Sequence, residues 1–212
     1  MKNEELLKFY EEKKGQIKNR LKEFELIIDE PEERVFAELC FCICTPQSKA
    51  TAAWNSISAL MKNGLLYKGS EKQIRPFLNP VRFADKKAKF IVEARNFFTE
   101  NGRIKIKDRI EQFDDLFELR DWIVKNVKGL GLKEASHFLR NIGKGQDVAI
   151  LDRHILNNLH KNGVIEKIPE TMSEKKYLEV EGKMRNFAKD VGIPLEELDL
   201  LFWSKETGFI FK

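Results

Sequence analysis

A lysine in the first turn of a helix, Lys133, carries the strongest sign of chemistry in this chain. It closes the segment Val127-Lys128-Gly129-Leu130-Gly131-Leu132-Lys133, which lies between two stretches of helical periodicity. Gly-x-Gly lets the backbone take positive φ and come close to another surface. The helix that follows opens with bare amides and the positive end of its dipole, which suits a phosphate oxygen. Such a turn can grip a nucleic-acid backbone without reading bases. The plain alternative is a glycine turn joining two packed helices. Lys133 itself is misplaced, because the macrodipole penalises a cation there by a few tenths to ~1 kcal/mol. The same dipole favours the neutral amine, the form that attacks a sugar carbon and builds a Schiff base. A lysine paired with Glu134 or with a phosphate is the other reading of this position.

Leu151-Asp152-Arg153-His154 follows nineteen positions later, with Asp152 just ahead of the apolar Ile155, Leu156 and Leu159. Asp152 is placed as a helix N-cap. A cap held behind the apolar run Val148-Ala149-Ile150-Leu151 is rigid, and its carboxylate can also face an amine or a positive charge developing on a sugar.

These residues need helices to position them. Apolar residues from Leu6 to Ile28 recur at helical spacing, which predicts a long helix over Glu4–Ile28 with a break near Gly15. A second helix starts at Pro31 and ends at Thr45-Pro46, so Gln47 falls in a turn. Further helices are expected over Thr51–Met61, Glu71–Leu78, and Asp85–Phe98, the last closed by Asn101-Gly102 as a stop. Ile110–Leu119, Leu119–Val127, Lys133–Ile142, Asp152–Asn162 and Ser173–Val191 complete the set, and Val148–Leu151 reads as a buried connector rather than a strand. The fold class expected is all-α, in two helical lobes.

Composition bounds the rest. At 212 residues and 42% hydrophobic content the chain can bury a proper core. Three cysteines, without metal-site spacing to histidines, and no signal-peptide pattern point to a reducing cytoplasm. No apolar run is long enough to span a bilayer. The net charge of +4 permits a polyanionic partner without requiring one, and the basic residues concentrate in Arg82–Lys89 and Lys125–Lys133.

Val127–Asn141 and Asp147–Leu156 together resemble the helix-hairpin-helix and Gly/Pro-Asp signature of base-excision DNA glycosylases. The chain is similar over nearly its whole length to the archaeal-type, or second-type, 8-oxoguanine DNA glycosylase/AP lyases. Supporting segments are Glu38–Ile43, Arg82-Phe83 with Lys87-Ala88, Glu134–Asn141, Glu197–Leu200 and Thr207-Gly208. The resemblance implies the HhH-GPD fold, with one lobe over residues 31–133 ending in the hairpin and the other formed by residues 1–30 and 134–212.

It further implies that Lys133 is the Schiff-base lysine and Asp152 the aspartate that assists it. The amides of Gly129 and Gly131 would meet a phosphate, and His154 would lie against DNA. The carbonyls of Lys125, Val127 and Leu130 would hold a monovalent cation. A flipped base must recover the few kcal/mol lost on leaving the stack, and the aromatics matching that task are Phe83 and Trp203. The apolar tail Phe209-Ile210-Phe211-Lys212 is expected to dock, which would bring the terminal carboxylate of Lys212 to the guanine edge. Gln47 resembles the residue that fills the gap in the duplex. With no four-cysteine cluster near the C-terminus, no iron–sulfur centre is expected, and Cys40, Cys42 and Cys44 read as buried small hydrophobes. The implied partner is double-stranded DNA containing 8-oxoguanine, bound by a monomer associated with the nucleoid. Two rivals remain at this point: a helix-hairpin-helix module that only binds DNA, and a glycosylase of the same fold acting on another lesion.

Overall fold

The computed structural model describes residues 2–212, with side chains from Glu4 onward. The described residues form twelve α-helices and one two-residue-per-strand hairpin, and they divide into two compact units, Ile27–Phe138 and Met1–Leu26 with Leu139–Lys212.

The Ile27–Phe138 unit is built around α2 (Glu32–Cys44), whose residues from Val35 to Cys44 are all buried. A helix apolar on every side must be surrounded. Here α3 (Ala50–Lys62), α6 (Ala84–Phe98) and α7 (Ile106–Ile110) pack against it. The three cysteines lie on α2 as buried thiols outside any disulfide. Burial pushes the Cys40 thiol up and the Cys44 thiol to about 12, so both stay protonated and inert at neutral pH.

The elements of this unit depart from the expected ones at several positions. The expected helix over Glu71–Leu78 is one α turn, α5 (Glu71–Ile74), followed by a 3₁₀ turn over Arg75–Leu78. Pro76 has no amide to continue the α ladder. A further turn, α4 (Leu65–Lys68), precedes it. Asn101-Gly102 is not a helix stop. Both residues have positive φ, 50° and 75°, and they turn a hairpin between β1 (Thr99–Glu100) and β2 (Arg103–Ile104), paired antiparallel. Asn-Gly supplies the left-handed pair that a two-residue hairpin requires. Nor does a helix run over Ile110–Leu119: α7 ends at Ile110 and α8 (Leu116–Asn126) starts afresh, because the Asp115 carboxylate accepts the Phe117 and Glu118 amides at 2.7 and 2.9 Å.

In the other unit α1 (Lys2–Glu25) passes through Gly15 without the expected break, and buries Leu6, Tyr10, Ile17, Leu21 and Phe24 as one stripe. Its partner is α12 (Leu195–Thr207), which also contacts α10 (Arg153–Lys161) and α11 (Glu174–Val191). The Tyr10 hydroxyl donates to Glu197 of α12 at 2.7 Å. The sequence pattern predicts no helix over 195–207. With neighbours on several sides α12 buries Leu195, Leu198, Leu200, Leu201 and Phe202, so it has no single apolar stripe to betray it.

Candidate active site

The hairpin is set by alternation of burial. Between α8 and α9 (Leu132–Asn141), Val127 and Leu130 are buried and anchor the turn, while Lys128, Gly129 and Gly131 are exposed. Gly129 has φ 89°, and a Cβ there would stand 2.6 Å from the Phe90 ring. Only glycine fits both the conformation and the approach.

Lys133 occupies the second position of α9, with its side chain 26% exposed, and its ammonium lies 2.9 Å from the Glu134 carboxylate. The pairing anticipated as the plain alternative is therefore present. The other Glu134 oxygen accepts the Gly131 amide at 3.2 Å. Glu134 thus closes half of a capping box, using the residue three positions after the N-cap, while it steadies the lysine. The Gly-x-x-Glu spacing carries that signal in the sequence. The same bond occupies the Gly131 amide expected to meet a phosphate.

Two other candidates in this unit stand in strained backbone. Gln47 has φ 54° and is exposed in the turn after α2. Phe83 has φ 58°, precedes α6, and is 51% exposed beneath the Arg82 guanidinium, 5.5 Å from the ring centroid. Phe83 is therefore not a core residue. A non-glycine residue with positive φ costs roughly 1–3 kcal/mol and collects at functional sites.

The second unit carries the remaining candidates. Asp152 caps α10 as its position predicts, its Oδ1 accepting the Ile155 amide at 2.9 Å. The cap uses one oxygen of the carboxylate. Behind it, Val148–Leu151 is buried without forming a strand, and α11 meets its backbone polar groups instead. The Ala149 amide donates to Glu181 at 2.9 Å, the Tyr177 hydroxyl donates to the Ala149 carbonyl at 2.5 Å, and the Leu151 amide donates to the Tyr177 oxygen at 3.4 Å. These bonds satisfy a buried connector and fix the approach to Asp152. His154 lies in the first turn of α10, half-buried.

Trp203 projects from α12, half-buried, with Phe209 edge-on at 5.2 Å and Phe211 stacked at 6.4 Å between centroids. The tail docks as expected. Arg20 Nε donates to the Phe211 carbonyl at 2.5 Å, Lys212 is buried, and its ammonium stands 5.9 Å from the Phe24 ring. Asp199 on α12, which the sequence marks only as part of the Glu197–Leu200 segment and assigns no role, is a buried carboxyl 3.6 Å from the Arg140 guanidinium. Burial raises its pKa to about 7, Arg140 pulls it down, and Asp152 adds to the rise.

The sequence profile described as 8-oxoguanine DNA glycosylase matches residues 17–193. The 8-oxoguanine DNA glycosylase/AP lyase of Fusobacterium nucleatum is 49% identical over 209 residues, covering 98% of this chain and 96% of that protein. Its namesake from Methanocaldococcus jannaschii is 41% identical over 197 residues, covering 92% and 91%. The crystal structure of the M. jannaschii 8-oxoguanine glycosylase/lyase in complex with 15mer DNA containing 8-oxoguanine superposes with a TM-score of 0.87 at 38% identity, covering 98% of this chain and 99% of that one. The Thermotoga maritima 8-oxoguanine DNA glycosylase gives 0.84 at 34% identity, covering 99% and 98%. A hairpin-borne lysine, an aspartate cap after a buried connector and likeness of this extent together place the chain in the 8-oxoguanine DNA glycosylase family.

Proposed function

We propose that this protein excises 8-oxoguanine from double-stranded DNA and cleaves the resulting abasic strand, with Lys133 as nucleophile and Asp152 as the carboxylate that assists it. The observation that carries this reading is Lys133 itself, a lysine at the second position of the helix leaving a Gly-x-Gly hairpin, in a chain alike over 98% of its length to a glycosylase/lyase solved with 8-oxoguanine DNA.

The steps balance without a redox change. The neutral Lys133 amine attacks C1′ as the bond from C1′ to the base breaks, and the base leaves with the electron pair and takes up a proton. The amine adduct loses its own proton, the sugar ring opens, and an imine forms. Loss of a C2′ proton then expels the 3′ phosphate by β-elimination, and hydrolysis of the imine frees the lysine. Glu134 is placed to accept the ammonium proton, since it lies 2.9 Å from the Lys133 Nζ. Asp152 would steady the positive charge on the sugar with the oxygen its cap leaves over. Phe83 and Trp203 are proposed to stack on the everted base, with the docked tail at Lys212 toward the guanine edge. Gln47 would fill the vacated position in the duplex, and Gly129, Gly131 and His154 would meet the backbone.

The carbonyls of Lys125, Val127 and Leu130 are proposed to hold a monovalent cation. Val127, which accepts the Leu130 amide at 3.4 Å, keeps a second lone pair for it. Such an ion would draw in a phosphate oxygen. The chain has three cysteines, one short of a four-cysteine iron–sulfur set. Among the described residues no helix is long and apolar enough to cross a membrane. The proposed setting is a monomer acting on DNA in the cytoplasm.

Borohydride trapping on an 8-oxoguanine duplex tests the reading. The wild type should give a covalent adduct, and Lys133→Gln should give none while duplex binding survives. An adduct retained by Lys133→Gln would overturn the assignment of the nucleophile. Binding without any adduct from the wild type would favour a DNA-binding module, and trapping on a lesion panel separates 8-oxoguanine from other damaged bases.

A further inference from the structure

We infer that Lys87 is a positioning residue for base eversion: its buried ammonium ties the turn that carries Gln47 to the turn that carries Phe83 and holds the two exposed side chains in fixed relation. The inference rests on the function proposed above. Lys87 lies on α6 with only 4% of its surface exposed. Its Nζ donates to the Cys44 carbonyl at 2.8 Å, the Pro46 carbonyl at 2.7 Å and the Ser48 hydroxyl at 3.2 Å. An ammonium has three donors, and these three acceptors bracket Gln47 in the chain. The Ser48 Oγ also accepts the Arg82 amide at 3.0 Å, and the Lys87 amide donates to the Phe83 carbonyl at 3.0 Å. The Lys87 ammonium thus holds the Gln47 turn directly, and the Ser48 hydroxyl it binds carries the tie on to the Arg82 amide beside Phe83, while the bond from the Lys87 amide to Phe83 is the first backbone bond of α6. Among the described residues three non-glycine positions have positive φ, and the third, Asn101, is accounted for by its hairpin turn. The two that need an outside constraint are the two that Lys87 ties.

The cost of the arrangement argues for geometry rather than bulk stability. All three partners are neutral, so the buried charge gains no ion pair from them, and an apolar side chain of similar size would fill the space more cheaply. Burial holds the Lys87 pKa below the ordinary lysine value and Lys133 pushes it the same way, while Cys44 and Glu134 act against the shift without cancelling it. What an apolar residue could not do is fix two loop carbonyls and a hydroxyl at once.

Two reactions separate this role from a general one. Base release from an 8-oxoguanine duplex needs eversion, whereas borohydride trapping on a preformed abasic site does not need the base to be gripped. Lys87→Met should slow single-turnover base release on the order of tenfold, equivalent to ~1.4 kcal/mol. Trapping on the abasic duplex should stay within about threefold of wild type, and a 2-aminopurine beside the lesion should report less unstacking. If Lys87→Met fails to fold, Ser48→Ala decides, since it removes the shared acceptor without emptying the core; it should give the same split in milder form. Equal losses in both reactions, or no loss in either, would overturn the inference. A wild type inactive in both reactions would instead count against the glycosylase reading.

Discussion

Asp152 shows how one residue can answer to a structural rule and a chemical one, and the two can be pulled apart. Its Oδ1 accepts the Ile155 amide, a bond that asparagine can also make. Asp152→Asn should therefore keep the cap and change stability by only a few tenths of a kcal/mol, whereas Asp152→Ala should cost about 1 kcal/mol. If the negative charge is needed at the sugar, both variants should lose base release by a similar large factor, at least about a hundredfold. Thermal melting and single-turnover kinetics on the same three proteins check this. An asparagine variant that keeps near wild-type kinetics would reduce Asp152 to a cap. At this scale the sequence was legible wherever the rule is local: a cation at the wrong end of a helix, an acid at an N-cap. Lys87 was not legible in this way, because its acceptors at Cys44, Pro46 and Ser48 lie about forty positions away in the chain, and nothing nearby marks a lysine as buried.

At the scale of elements, the hairpin glycines look alike in sequence and differ in what they tolerate. Gly129→Ala meets positive φ and the Phe90 ring at 2.6 Å. Its cost should reach roughly 2–3 kcal/mol of stability, with loss of duplex affinity as the turn shifts. Gly131 has no such φ, and its Cβ would meet only the Glu134 carboxylate at 3.3 Å. Gly131→Ala should cost less than about 1 kcal/mol. Urea denaturation orders the two, and equal costs would contradict the close packing on Phe90. The Lys133-bearing helix and its hairpin were readable because periodicity and glycine punctuation coincide there. Elements were lost where that coincidence fails. Asn101-Gly102 satisfies both a helix stop and a hairpin turn, and only the pairing of Thr99 with Ile104 decides. The α12 helix, buried on several sides, offers no stripe at all, although it carries both Trp203 and Asp199.

Over the whole molecule, the burial of Asp199 makes stability depend on pH in a direction opposite to that of an ordinary ion-paired acid. Arg140 stands 3.6 Å away, yet desolvation outweighs that attraction and the folded-state pKa rises from 3.8 to about 7. Between those values the folded chain holds a proton that the unfolded chain has released. The contribution to stability is therefore greatest below the unfolded pKa, declines as pH rises through this window, and is flat above it. Asp199→Asn cannot titrate, so its stability relative to wild type should improve by roughly 2 kcal/mol between about pH 5 and about pH 8. Denaturant unfolding of both proteins at the two pH values measures this, and a difference that does not change with pH would show that Asp199 keeps its charge throughout. Because Asp152 is among the charges that raise Asp199, the same titration should reach the capping carboxylate: as Asp199 ionises, Asp152 gains a like charge in its own unit. Wild-type base release should then carry a titration near Asp199's value that is absent from Asp199→Asn, linking a buried acid that no local pattern reveals to the carboxylate proposed to assist the lysine.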